Sequence, residues 1–180
     1  MSGPIQVIAR SPGDCQDTEI KEFMALVLAG GKVTPEGLET RIRSAASLVF
    51  LTIGCCLSGV AALKRPEARY RSRISFNSGI ALPERDFPYE LGWVFIMPSA
   101  RGRRFSVDLT REALSAAGTE GVFATSRTDN ASMHATLAKF RFLSCGHPWA
   151  SRRGDYHLQL FLRHATQPSA AVDAKQPALR

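Results

Sequence analysis

Residues 90–109 read Glu-Leu-Gly-Trp-Val-Phe-Ile-Met-Pro-Ser-Ala-Arg-Gly-Arg-Arg-Phe-Ser-Val-Asp-Leu. Leu91, Trp93, Phe95 and Met97 alternate along one side, and Val94 and Ile96 make the other side apolar too. A strand apolar on both faces belongs in the middle of a covered sheet, so layers of chain must lie above and below it. Pro98 ends the strand, because proline has no N–H to give to a ladder. Arg101, Gly102, Arg103 and Arg104 then form a basic turn, after which Phe105, Leu109 and Ala113 recur at helical spacing. A helix N-terminus gathers unpaired N–H groups and a positive dipole end. Surrounded by arginines, it suits a phosphate.

The chain around this stretch has 180 residues, enough for one domain with a proper core, expected over 1–165 with a flexible tail over 166–180. Its apolar fraction of 44% and charged fraction of 22% are those of an ordinary globular protein. The longest apolar run, Ala45 to Leu57, is interrupted by Thr52 and Gly54, which argues against a membrane span. Without a secretory pattern at the start, a cytoplasmic protein of bacterial or phage type is expected. Cys15, Cys55, Cys56 and Cys145 have no metal-ligand spacing and read as reduced thiols, and the histidines form no zinc cluster. A net charge of +7 favours anionic partners, whether a phosphorylated cofactor, nucleic acid or an acidic surface.

Ile5–Ala9 predicts a first strand. Asp14 and Asp17 precede an apolar stripe, Ile20, Phe23, Met24 and Val27, that stops at Gly30-Gly31 and predicts a helix. Thr34 and Pro35 predict the cap and first residue of a second helix reaching about Ser44. Leu48–Ile53 and Leu57–Leu63 predict a hairpin across Gly54-Cys55-Cys56. The polar segment from Lys64 to Asp86 reads as an exposed connection whose Lys64–Arg73 part is basic. After the central strand come a helix from Arg103 to about Ala117 and a strand over Val122–Ala124. Thr128-Asp129-Asn130 caps a further helix bearing Met133, Leu137 and Phe140, and Tyr156–Arg163 predicts a last strand or hairpin.

That order is a mixed α/β layer arrangement. With the basic turn, it resembles the GNAT superfamily of acyl-CoA N-acyltransferases from about Pro4 to Arg163. In that family the central strand ends in Arg/Gln-x-x-Gly-x-Gly/Ala, whose backbone amides hold the pyrophosphate of coenzyme A. Here the turn runs from Arg101 to Ser106, with the usual leucine at Leu109; Arg104 and Ser106 replace the two glycines. The resemblance implies a mixed, mostly antiparallel sheet with a splayed central strand and about four flanking helices. It also implies acetyl-CoA as acyl donor, no metal, and direct transfer to an amine in a ternary complex. Cofactor contacts are implied at Arg101, Gly102, Arg103, Arg104, Phe105, Ser106 and Val107, and at Asn130. The backbone of Val94, Phe95 and Ile96 is implied to meet the pantetheine arm and polarise the thioester carbonyl.

Glu90 lies eleven positions before Arg101, where several family members carry a glutamate general base. Read from the residues alone, it is equally a strand-end carboxylate facing solvent or an arginine. Asn130 and Phe142 resemble the family's Asn…Tyr…Gly-Phe pattern, but Leu137 takes the tyrosine position and Arg141 the glycine position. Leucine donates no proton. His134, Tyr156 or water is left as the general acid. Glu84 and Asp86 are placed to draw in a cationic acceptor, but small-molecule amine, peptide, lysine and aminoacyl-RNA all stay open. So does homodimer formation, which is frequent in the family. The alternative is a catalytically impaired module of this fold that binds acyl-CoA, an acidic protein or, less favoured, nucleic acid through Arg69, Arg71 and Arg73.

Overall fold

The computed structural model describes residues 3–31 and 33–166. Seven strands form one sheet: β1 (Ile5–Arg10), β2 (Ser47–Ile53), β3 (Cys56–Lys64), β4 (Tyr89–Ile96), β5 (Val122–Arg127), β6 (Leu143–Ala150) and β7 (His157–Arg163). Their spatial order is β1-β2-β3-β4-β5-β7-β6. All neighbours are antiparallel except β4 and β5, which are parallel and joined through a crossover helix. Among the described residues five α-helices cover the sheet: α1 (Asp17–Ala29), α2 (Leu38–Arg43), α3 (Ala68–Ser78), α4 (Phe105–Ser115) and α5 (Ala131–Lys139).

Two layers of core explain why β4 must be apolar on both sides. On one face Ile20, Phe23 and Val27 of α1, with Leu38 and Ile42 of α2, pack on Leu48, Val60 and Ala62. On the other face Leu109 and Ala113 of α4 and Leu137 of α5 pack on Val49, Leu51, Ala61, Leu63 and Leu91. Each fully buried leucine or phenylalanine contributes roughly 1.5–3 kcal/mol of transfer free energy.

Several local expectations change. The segment over 64–86 is not simply a connection. It holds α3, whose Ile74 packs on Phe123, Leu160 and Leu162. Arg71 of this helix is buried, donating to the Phe87 carbonyl at 2.5 Å and lying over the Phe123 ring at 5.5 Å. The basic segment is therefore not one continuous cationic surface. α2 begins at Leu38 after a left-handed Gly37, not at Pro35. The β2–β3 turn is the pair Gly54-Cys55. α4 starts at Phe105, and β5 runs on to Arg127.

The chain closes with a hairpin, β6–β7, whose edge strand bulges between Cys145 and Trp149 and so accommodates Pro148. Thr166 donates its N–H to the Thr119 carbonyl at 2.8 Å, and the remainder of the expected tail lies outside the described residues. Among the described residues no helix is long and apolar enough to cross a membrane.

Candidate active site

The site begins with a defect in β4. Ala62 pairs with Gly92 and Val60 with Phe95, so Trp93 and Val94 together oppose Ala61. This is a β-bulge, and Trp93 sits in it at φ +52°. The bulge also turns the strand over. Leu91 packs toward α4 with Val94 and Ile96, whereas Trp93 and Phe95 pack toward α1. The simple alternation of Leu91 with Trp93 that a regular strand would give is therefore broken.

β4 and β5 then separate. They pair only at Tyr89–Val122, Glu90–Phe123 and Leu91–Ala124, although β4 continues to Ile96 and β5 to Arg127. The fork opens two clefts. The first, about 750 Å³, is lined by Val94, Phe95 and Ile96 on one side and by the turn after β4 on the other. Arg101, Gly102, Arg104, Phe105, Ser106 and Val107 of that turn border it, as do Asn130, Thr136 and Lys139 of the α5 region. Among the described residues no carboxylate lines it. Arg103 is not among its lining residues; its guanidinium lies 5.0 Å from the Phe105 ring centre.

Arg104 and Ser106 stand where the resemblance puts the turn's glycines. Arg104, in the first glycine position, adopts φ +62°, the left-handed conformation that glycine takes most easily. Ser106, in the second, is bonded through Oγ to Thr136 Oγ1 at 3.0 Å, tying α4 to α5. Arg101 donates from Nε to the Ile96 carbonyl at 3.1 Å, fastening the turn to the end of β4. Asn130 is the N-cap of α5, with Oδ1 accepting the Met133 N–H at 3.1 Å.

The second cleft, about 570 Å³, lies across the fork. Trp93, Trp149, Tyr156, Tyr70 and Arg73 line it, and Val94, Phe95, Arg127, Asn130 and Met133 border both clefts. The two spaces meet in the fork.

Glu90 borders neither cleft and is 3% exposed. Its Oε1 accepts the Tyr70 hydroxyl at 2.9 Å and its Oε2 is paired with Lys64 Nζ at 2.6 Å. Gly92 leaves the room for that pair, since a β-carbon there would meet Lys64 Cε at 2.6 Å. Glu90 is thus neither solvent-facing nor paired with an arginine. Tyr70, whose residue lines the second cleft, stands between that cleft and the carboxylate. Burial pushes the Tyr70 phenol well above the ordinary tyrosine range, the neighbouring Glu90 charge adds to this, and a hydrogen bond from Thr125 opposes it.

The other candidates are spread apart. His134 lines neither cleft: its Nε2 lies 2.9 Å from the Arg127 carbonyl oxygen and its ring packs 4.8 Å from Phe161. Tyr156 borders the second cleft only, with the Arg127 guanidinium 5.0 Å from its ring centre. Leu137 is fully buried in the core. Tyr70 escaped the sequence reading, and Arg73 entered it only as part of a basic segment, because that segment looked like a loop. The available signals were Tyr70 and Ile74 one helical turn apart, with Gly79, at φ +73°, closing the helix. Among the described residues, no group of three His, Cys, Asp or Glu side chains is arranged to hold a metal.

No family model matches the sequence, and no curated protein matches it. Solved structures do. An acyl-CoA N-acyltransferase from Pseudomonas aeruginosa is similar at 13% identity and TM-score 0.60, over 89% of this chain and 99% of that one. An acetyltransferase of the GNAT family from Bacillus cereus is similar at 14% identity and TM-score 0.61, over 92% and 100%. The Salmonella typhimurium protein yncA, solved with its cofactor acetyl-CoA, is similar at 13% identity and TM-score 0.59, over 94% and 98%. With its forked β4–β5 pair and bulged central strand, the chain has the GNAT fold of acyl-CoA N-acyltransferases.

Proposed function

We propose that the protein is an N-acetyltransferase that moves an acetyl group from acetyl-CoA to an amine by direct transfer in a ternary complex. The observation that carries this reading is the fork, where two clefts lined by different residues share Val94, Phe95, Arg127, Asn130 and Met133. A donor in one and an acceptor in the other would meet at the end of β4.

The residues present fit the donor. Arg101, Arg104 and Lys139 supply cations without a competing carboxylate, and the first turn of α4 supplies N–H groups for a pyrophosphate. Val94, Phe95 and Ile96, unpaired toward β5, have backbone groups free for a pantetheine arm and a thioester carbonyl. Bound there, acetyl-CoA supplies the activated acyl carbon. In the transfer the C–N bond forms and the C–S bond breaks. The amine's proton passes by way of the Tyr70 hydroxyl to Glu90, whose carboxylate the Lys64 ammonium holds in place. Since His134 is engaged with a backbone carbonyl, Tyr156 borders only the second cleft and Leu137 is core, the departing sulfur takes its proton from water in the open first cleft. Much of the acceleration then comes from positioning.

Calorimetric titration with acetyl-CoA tests the donor site. The wild type binds, and the double variant Arg101→Ala, Arg104→Ala loses about tenfold or more in affinity, as two charge-assisted contacts imply. Equal affinity in the two proteins would remove the turn from the donor site. Absence of binding in both would overturn the activity.

A further inference from the structure

The second cleft has a charge that the amine chemistry alone does not explain. Arg73, Arg127, Arg152 and Arg153 line it, and among the described residues no aspartate or glutamate does. Arg127 is already paired with Asp129. Neither Arg73 nor Arg152 is ion-paired among the described residues; Arg73 rests over the Tyr70 ring at 5.2 Å. Glu84 and Asp86, which the sequence offered as attractors for a cation, are exposed and border neither cleft. The donor's phosphates already have Arg101, Arg104 and Lys139 on the far side of the fork, so they leave the second set of arginines unexplained.

A simple alkylamine or polyamine reaches such a cleft as a cation. It would meet Arg73 and Arg152 with no carboxylate among the described lining residues to balance them, an arrangement that disfavours binding and slows encounter. A zwitterion does not have this difficulty. Its oxyanion can lie in the planar fork of a guanidinium, which matches a carboxylate or phosphonate with two parallel hydrogen bonds. Its ammonium is then directed away from the arginines, toward the Tyr70 hydroxyl and the end of β4.

Resting on the acetyltransferase reading above, we infer that the acceptor is a small acidic amine, an α-amino acid or its phosphonate counterpart, held by Arg73 and Arg152 through its oxyanion. The aromatic walls, Trp93 and Trp149, receive its side chain.

The cleft carries its own probe. Trp93 and Trp149 are the two tryptophans of the chain, so intrinsic fluorescence reports occupancy directly. The protein, saturated with coenzyme A so that no transfer occurs, is titrated with L-leucine, L-phenylalanine and L-methionine, each beside its amide. The 1-aminoalkylphosphonates with the same side chains form the third arm.

At least one acid is expected to bind about tenfold or more tighter than its amide, the size of one charge-assisted contact. The phosphonate arm decides between the two oxyanions. In the combined variant Arg73→Gln, Arg152→Gln, two exposed positions, the preference for acid over amide falls toward unity while coenzyme A affinity is retained. Amides binding as well as acids, or neither binding while coenzyme A does, overturns the acidic acceptor and leaves the donor site standing. Failure of coenzyme A to bind overturns the earlier reading itself.

Discussion

Tyr70 is the residue on which the proposed chemistry and the stability of the site converge. Its phenol is held well above the ordinary range by burial first and by the Glu90 charge second, and its hydroxyl is what reaches that carboxylate. The unfolded chain loses this proton near about pH 10, while the folded chain keeps it to higher pH. Protons bound only in the folded state make stability fall as pH rises. The contribution is therefore whole below about pH 10 and is lost progressively above it, by at most about 1.4 kcal/mol per pH unit for one group. Tyr70→Phe removes the titrating proton and one hydrogen bond. It should lower stability at neutral pH by about 1 kcal/mol and flatten the alkaline decline. Urea melts of both proteins at about pH 8 and about pH 11 measure this, and parallel declines would rule Tyr70 out as the cause. In turnover assays the same variant should lower kcat with little change in acetyl-CoA affinity.

At the scale of elements, the turn before α4 shows a shape preserved by an unfavourable residue. Arg104 at φ +62° and Arg141 at φ +62° stand in two of the three positions where the family pattern has glycine, and both take the left-handed conformation, whereas Ser106 in the third does not. An L-residue in that region costs roughly 1–2 kcal/mol, which the surrounding packing absorbs. Arg104→Gly should release that strain but adds freedom to the unfolded chain worth about 0.4–1 kcal/mol, leaving a net gain of about 0.5–1 kcal/mol. Under the proposed function it should also weaken acetyl-CoA binding, because a cation lining the first cleft is gone. Thermal melts with and without acetyl-CoA separate the two effects, and a variant less stable without ligand would show that the arginine side chain supports the turn. The turn's place after a doubly apolar strand was legible because it rests on residue types along the chain. Its retained shape was not, because nothing in arginine announces φ > 0. The same division holds elsewhere. The apolar stripes of α1, α4 and α5 gave those helices away. α3, with a buried arginine where an apolar residue is usual, did not, and the place of Tyr70 and Arg73 on a cleft stayed hidden with it. Nor could spacing reveal the bulge at Trp93, which reverses the faces of β4 through backbone geometry alone.

For the molecule as a whole, the fork sets the order of events. The two clefts share Val94, Phe95, Arg127, Asn130 and Met133, so under the proposed function both ligands would have to be present together for the amine to reach the acyl carbon. A covalent acyl-enzyme would need a nucleophile at that gap. None of Cys15, Cys55, Cys56 and Cys145 lines either cleft, and the Ser106 hydroxyl at its edge is bonded to Thr136 rather than to a base. Initial rates measured over a grid of acetyl-CoA and acceptor concentrations should therefore give intersecting reciprocal plots, and protein incubated with acetyl-CoA alone should gain no acetyl mass. Parallel plots together with an acetylated residue would mean that the two clefts are used in turn. The shared lining would then have to be read as a passage for the acyl group on the protein. A compound joining coenzyme A to the acceptor nitrogen tests the geometry from the other direction. Spanning the fork, it should bind far tighter than either half, because the second contact becomes intramolecular once the first is made. Only a continuous gap gives that gain.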